Sequence, residues 1–158
     1  MYTRRSRTSR APQGISIRIT PLTVEILTLL NDYKRLPTSF LRAFTGKTGR
    51  SFSEKLARLY HEKIEAYGAP LLARDDSFGA YFSKQEVHML SPTGVKASKD
   101  LGIALQSMTI GAGKNKHHEI LLIATVASIE IECKKAGLQF INARAILERP
   151  KTPVATRT

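Results

Sequence analysis

Phosphate chemistry is the first possibility the residues raise. The stretch "FTGKTGRSFSEKLARLYHEK", Phe44 to Lys63, contains Gly46-Lys47-Thr48, the closing triplet of a nucleotide-binding loop. Such a loop reads G-x-x-x-x-G-K-[ST] between a strand and a helix, so that backbone amides and the Lys surround the phosphates. Its first Gly would fall at Leu41, and the residues before Gly46 have a helical pattern instead. "GAGKNK" fails in the same way, with Met108 for the first Gly and Asn115 for the Ser or Thr. Nucleotide hydrolysis is not expected.

Metal and nucleophile chemistry fare no better. His61, His88, His117 and His118 lack ligand spacing, and adjacent histidines diverge by roughly 100° on a helix. His118-Glu119 is followed by Ile120-Leu121-Leu122, so H-E-x-x-H is absent. Cys133 lies among Ile129, Ile131 and Ala136, which favours a packed thiol, and a single Cys rules out an intramolecular disulfide. That usage fits a reducing compartment. The reading is therefore of a chain that is not an enzyme, with no catalytic residue, no metal and no cofactor.

The charge balance points to binding. Lys and Arg number 25 against 13 acids, a net +12, which favours polyanions, nucleic acid before anionic membrane. Lys34, Arg35, Arg42, Lys47, Arg50, Lys55, Arg58 and Lys63 face only Glu54 and Glu62 over thirty residues. Half of the excess charge thus falls in one segment. No apolar stretch follows the basic start, as a secretory signal would require. The run Ile120 to Ile129 is broken by Thr125 and Ser128 and is far shorter than the roughly 20 residues of a membrane span. No membrane association and a cytoplasmic location (bacterial, nucleoid- or phage-associated) are expected.

The elements that would position these residues follow from pattern. Residues 1–14 carry Arg4, Arg5, Arg7 and Arg10 with no acid, a composition expected to leave a disordered basic arm. "ISIRIT" alternates apolar and polar, predicting a short strand. Thr20-Pro21 predicts a helix start, and Leu22, Ile26, Leu29 and Leu30 its apolar face, ending before Pro37. A short helix with Thr38 or Ser39 as cap ends at Gly46. A third begins near Ser51 or Ser53, with Phe52, Leu56, Leu59, Tyr60 and Ile64 inward and Arg50, Ser51, Ser53, Lys55, Arg58 and His61 outward. Leu71–Arg74 and Glu86–Leu90 predict a long hairpin, and Ser91-Pro92 another helix start. Glu119 to Ala136 predicts the longest helix, stopped by Gly137, then a strand "LQFI" and a short helix capped by Asn142.

Helix, short helix, Gly-containing turn, basic amphipathic helix and hairpin is the order of a winged helix-turn-helix. The predicted class is α+β, mainly α, with an additional long C-terminal helix, short strand and short helix. The arm (1–14), the winged domain (15–103), a loop (104–116), a packing and dimerisation extension (117–149) and a flexible tail (150–158) complete the plan.

"ITPLTVEILTLLNDYKRLPTSFLRAF", "FSEKLARLYHEKI", "HMLSPTGVKAS" and "HHEILLIATVASIEIECKKAGLQFINARAILE" together resemble the replication-relaxation family of plasmid and phage proteins. The resemblance covers roughly residues 20 to 149. It implies a winged helix closed by a Leu-Thr-x-x-Gly-like turn, matched by Leu90-Ser91-Pro92-Thr93-Gly94, and a long helix starting with His near His117 or His118. The family's nuclease-like second half continues into an Arg-Pro-Asp segment. This chain has Lys151 where that acid would stand, and a metal-dependent phosphodiesterase needs two or three clustered carboxylates.

The expected function is double-stranded DNA binding of plasmid or phage type, in control of replication or transcription. Arg50, Ser51, Ser53, Lys55 and Arg58 would meet the major groove with Lys47 also contacting nucleic acid, Arg74 and Lys84 on the wing would touch phosphate or the minor groove, and Arg4, Arg5, Arg7 and Arg10 would follow the backbone or insert into a neighbouring minor groove. Ile123, Ala127 and Ile131, spaced by four, would form the seam of a homodimer. Other phage or plasmid proteins are further expected partners. The alternative is a structural or interaction protein of a phage particle or nucleoprotein assembly, using the winged helix as scaffold.

Overall fold

Regular structure begins at Thr20 in the computed structural model, which describes residues 9–75, 82, 85–103 and 116–141. Thr20 Oγ1 accepts from the Thr23 amide at 3.3 Å while Thr23 Oγ1 accepts from the Thr20 amide at 3.2 Å. This reciprocal cap, with Pro21 in the first turn, starts α1 (Pro21–Tyr33). The helix ends at Lys34, whose φ of 64° turns the chain directly into β1 (Arg35–Pro37). There follow α2 (Thr38–Thr45), α3 (Arg50–His61), β2 (Leu72–Arg74), β3 (Val87–Leu90), α4 (Pro92–Asp100) and α5 (Lys116–Lys135). The described fold is thus mixed α and β and mainly helical, with five helices around one three-stranded antiparallel sheet. No described helix is long and apolar enough to cross a membrane.

The sheet order is β1-β3-β2, with Leu36 and Arg74 both opposite His88. β1 was not expected: three residues ending in Pro have no room for an alternating pattern. "ISIRIT" contributes only a bridge, Ile17 to Ile64, and residues 138–141 form no strand. Short apolar alternation cannot outweigh the lack of a neighbouring strand to pair with. The expected helix capped by Asn142 and the tail lie outside the described residues.

One apolar core joins α1, α2, α3, the sheet and α5. Ile123, Ala127 and Ile131, expected at a dimer seam, are buried in that core together with Tyr33, Leu41 and Phe44. The seam assignment is therefore corrected. The stripe at spacing four covers apolar residues of the same chain. Polar ties reinforce the packing: Tyr33 Oη donates to Glu130, Lys134 Nζ donates to the Phe44 carbonyl, and Arg35 Nη1 meets Glu119 Oε1 at 2.9 Å. Arg35 also holds Asp75 at 2.9 Å, linking β1 to the end of β2.

Ser91 caps α4 by accepting from the Gly94 amide at 3.0 Å and donates to the Pro70 carbonyl at 2.6 Å. This draws the first turn of α4 onto the backbone before β2. A Cβ on Gly94 would lie 2.2 Å from the Leu71 carbonyl oxygen. Gly94→Ala should therefore cost about 3 kcal/mol, by overpacking against backbone that has nowhere to move. Denaturant unfolding measures this directly.

His88, at the centre of β3, is fully buried; its Nε2 lies 2.9 Å from Thr38 Oγ1. Burial, and then the charge of Arg74, push its protonation down to about 3. An unfolded chain takes up this proton near pH 6.5. Between those values the unfolded state holds one more proton, so the stability present above pH 6.5 falls as pH drops toward 3. The loss is about 1.4 kcal/mol per pH unit. His88→Gln, which keeps a partner for Thr38, should flatten the stability profile between pH 6 and 4 by that amount.

Candidate nucleic-acid interface

The turn Gly46-Lys47-Thr48-Gly49 sets the entry to α3. Gly46 (φ 67°) ends α2 and Gly49 (φ 89°) precedes α3, both in backbone regions that a side chain disfavours. No side chain caps α3, so the amides of its first turn are left to other partners. The helix buries Phe52, Leu56, Leu59 and Tyr60 and leaves Arg50, Ser51 and Arg58 exposed, with Lys47 exposed on the turn before it. Arg50 pairs with Glu54 at 3.0 Å along the surface, a weak tie that solvent screens.

Two expected contact residues are half-buried and engaged. Ser53 accepts from the Arg42 guanidinium, which joins α2 to α3. Lys55 Nζ donates to Thr20 Oγ1 at 3.2 Å; burial first, and then the Arg58 charge, lower its proton affinity. Lys55 thus fastens α3 to the start of α1. Its side chain is not free to reach outward from this position.

The far end of α3 corrects three further expectations. Arg74 is 5% exposed, lies 4.0 Å from the Tyr60 ring centroid and 3.9 Å from Glu86 Oε1. It is a packed residue of the sheet, not a phosphate contact at a wing. Arg10 stacks on the same ring at 4.5 Å, donates to the Tyr60 carbonyl and donates to the Leu72 carbonyl at 2.9 Å. His61, expected outward, is buried, and its Nδ1 accepts from the Ala11 amide at 2.9 Å.

Buried Glu62 accepts from the amides of Gln13 at 2.8 Å and Ile15 at 3.3 Å. Residues 10–14, expected within a disordered arm, are therefore strapped with Ile15 across the last turn of α3. The receiving groups, His61 and Glu62, come from the basic segment itself. Arg4, Arg5, Arg7 and Lys84 lie outside the described residues.

Sequence reasoning left out the outward cations near the start of the chain's core. Arg18 is exposed beside the Ile17–Ile64 bridge, where Lys63 is exposed too. The alternation of "ISIRIT" already put Arg18 opposite the buried Ile17, which was the available signal. Among the described residues no three His, Cys, Asp or Glu side chains are grouped to hold a metal. The arrangement offers instead an exposed cationic and hydroxyl-bearing helix face, rigidly backed.

The chain matches no family model, no curated protein and no solved structure.

The two classes of Arg separate by stability. Arg74→Ala should cost about 1 to 3 kcal/mol, through loss of stacking on Tyr60 and of the Glu86 pair. Arg58→Ala should change stability by less than about 0.5 kcal/mol. Thermal or denaturant unfolding of the two variants provides the comparison.

Proposed function

We propose that this chain is a double-stranded DNA-binding protein built as a winged helix, acting by binding rather than catalysis. The observation that carries the reading is the outward face of α3. On a chain of net +12, it presents Lys47, Arg50, Ser51 and Arg58 to solvent while Phe52, Leu56 and Leu59 hold it to the core. An α-helix is the element that fits the major groove, where Arg and Ser reach base edges and Lys and Arg neutralise phosphate. The order α1-β1-α2-α3-β2-β3, with β3 between β1 and β2, supports the winged-helix reading.

The replication-relaxation resemblance supplies the biological class: control of replication or transcription on a plasmid or phage. The contact set is narrower than the sequence alone implied. Arg50, Ser51 and Arg58 carry base and backbone contacts on α3, and Lys47 carries phosphate from the turn. Arg10, Arg74 and Lys55 serve the fold that presents them. The uncapped start of α3 adds its amides and helix dipole to phosphate binding.

Binding to a short duplex, followed by fluorescence anisotropy over a series of salt concentrations, tests the reading. Duplexes from the DNA flanking the chain's own gene, set against scrambled ones, report sequence preference. The triple variant Lys47→Ala, Arg50→Ala, Arg58→Ala should bind more weakly. Its log–log salt slope should be shallower by about 2 to 3, because each lost phosphate contact removes about 0.9. An affinity and slope equal to wild type would sink the α3 assignment.

A further inference from the structure

A cavity of about 290 Å³ opens where α1 meets β1, β3 and α4, with apolar walls from Leu30, Met89, Leu90 and Val95. Ligand pockets of roughly 300–1,000 Å³ set a few polar groups against such walls, so this one suits a molecule of small size. Asn31, Lys34 and Arg35 also line it. Arg35 is answered by Asp75 and Glu119, each at 2.9 Å. The fold does not use up the other two.

Asn31 is only 7% exposed, and both hydrogens of its amide are engaged. Nδ2 donates to the Leu27 carbonyl at 2.7 Å and to Ser98 Oγ at 2.9 Å. Ser98 gives its own hydrogen to the Gly94 carbonyl at 2.7 Å, so it accepts from Asn31 and cannot donate to it. The amide is thereby locked in one orientation, and its Oδ1 accepts from no described residue. An oxygen so enclosed is costly to leave without a donor. Lys34, which ends α1, has no side-chain hydrogen bond or ion pair among the described residues. It is also the one described non-glycine residue of positive φ, 64° with ψ −45°. Glycine would be the unstrained choice there, and backbone held in such a state points to a functional position. What Lys34 adds is a cation at the cavity.

We propose that this cavity binds a small apolar carboxylic acid that carries a hydroxyl group. The carboxylate pairs with the Lys34 ammonium, the hydroxyl donates to Asn31 Oδ1, and the hydrocarbon body lies against Leu30, Met89, Leu90 and Val95. Each part of the ligand answers a group that the fold leaves open. A purely apolar molecule would leave Asn31 Oδ1 and the ammonium unpaired, and a phosphate would gain nothing from the apolar walls. An amine in place of the hydroxyl would bring a further positive charge beside Lys34 and Arg35. None of the lining comes from α3, so the proposal stands apart from the DNA-binding reading.

Calorimetric titration of the full chain with para-hydroxyphenylacetate, without DNA, tests the site. Saturable binding is expected. Phenylacetate, which lacks the hydroxyl, and para-hydroxyphenylacetamide, which lacks the charge, should each bind about 10-fold more weakly, the factor that one such contact supplies. Lys34→Gly suits the φ of 64° and keeps the fold while removing the ammonium. Val95→Trp starts from a 36% exposed residue and fills the cavity instead. Both variants should bind about 10-fold more weakly than wild type or worse, with thermal unfolding as the control for folding.

Absence of saturable binding to the wild-type chain overturns the proposal. Binding that both variants retain overturns it too, since the compound then sits elsewhere. Equal affinity for the three compounds also overturns it, because neither Asn31 nor Lys34 would then be reading the ligand.

Discussion

The ring of Tyr60 is the point on which the placement of α3 depends. Two guanidinium groups, from Arg10 and Arg74, lie over it, and the carbonyl behind it accepts from Arg10. Arg74 belongs to β2, Arg10 to the N-terminal segment and Tyr60 to the last turn of α3, so one aromatic side chain joins three elements far apart in sequence. Arginine suits this work because it can stack and donate in its plane at once. His61 and Glu62 extend the junction by taking amides of the strap. Rotating α3 would break all of these together, which fixes which of its faces meets solvent.

α5 governs the cover over α1 and α2. Without it Tyr33 and Phe44, whose rings are 5.5 Å apart, would lose the cover that Ile123, Ala127 and Ile131 provide. A boundary drawn at residue 103 therefore divides a single core. α5 is part of what stabilises α1 and α2, and through α2 it bears on the turn that leads into α3. Ordinary core packing on one side and an apolar exposed side explain why apolar residues occupy most of its circumference.

Local signals were read correctly from the chain because they act locally. Thr20-Pro21, Ser91-Pro92 and Gly46 mark their helix ends through contacts spanning three or four residues, and the structure has those caps. The periodic faces of α1 and α3 were legible for the same reason. What was not legible depends on sequence-distant partners. Arg74 and Arg10 read as free cations until Tyr60 is placed beside them. His61 reads as polar surface until the Ala11 amide reaches it, and β1 has meaning only opposite β3. The Ile123 stripe announced burial correctly, and its period could not say which surface would cover it. Of the expected α3 face, Arg50, Ser51 and Arg58 are outward, while Lys55 and Ser53 are drawn into contacts that only the tertiary arrangement creates.

Both outer edges of the small sheet are blunted. β1 ends in Pro37, which has no amide hydrogen to offer a further strand. On β2 the Leu72 carbonyl is already taken by the Arg10 guanidinium. Each edge strand is also only three residues long. An exposed ladder of amides and carbonyls is the usual starting point for edge-to-edge aggregation, and short or obstructed edges prevent it. The residue expected to follow a DNA backbone thus protects a sheet margin instead. Among the described residues, the sheet therefore offers a joining protein only short, partly obstructed edges, and its helix faces are the larger surfaces.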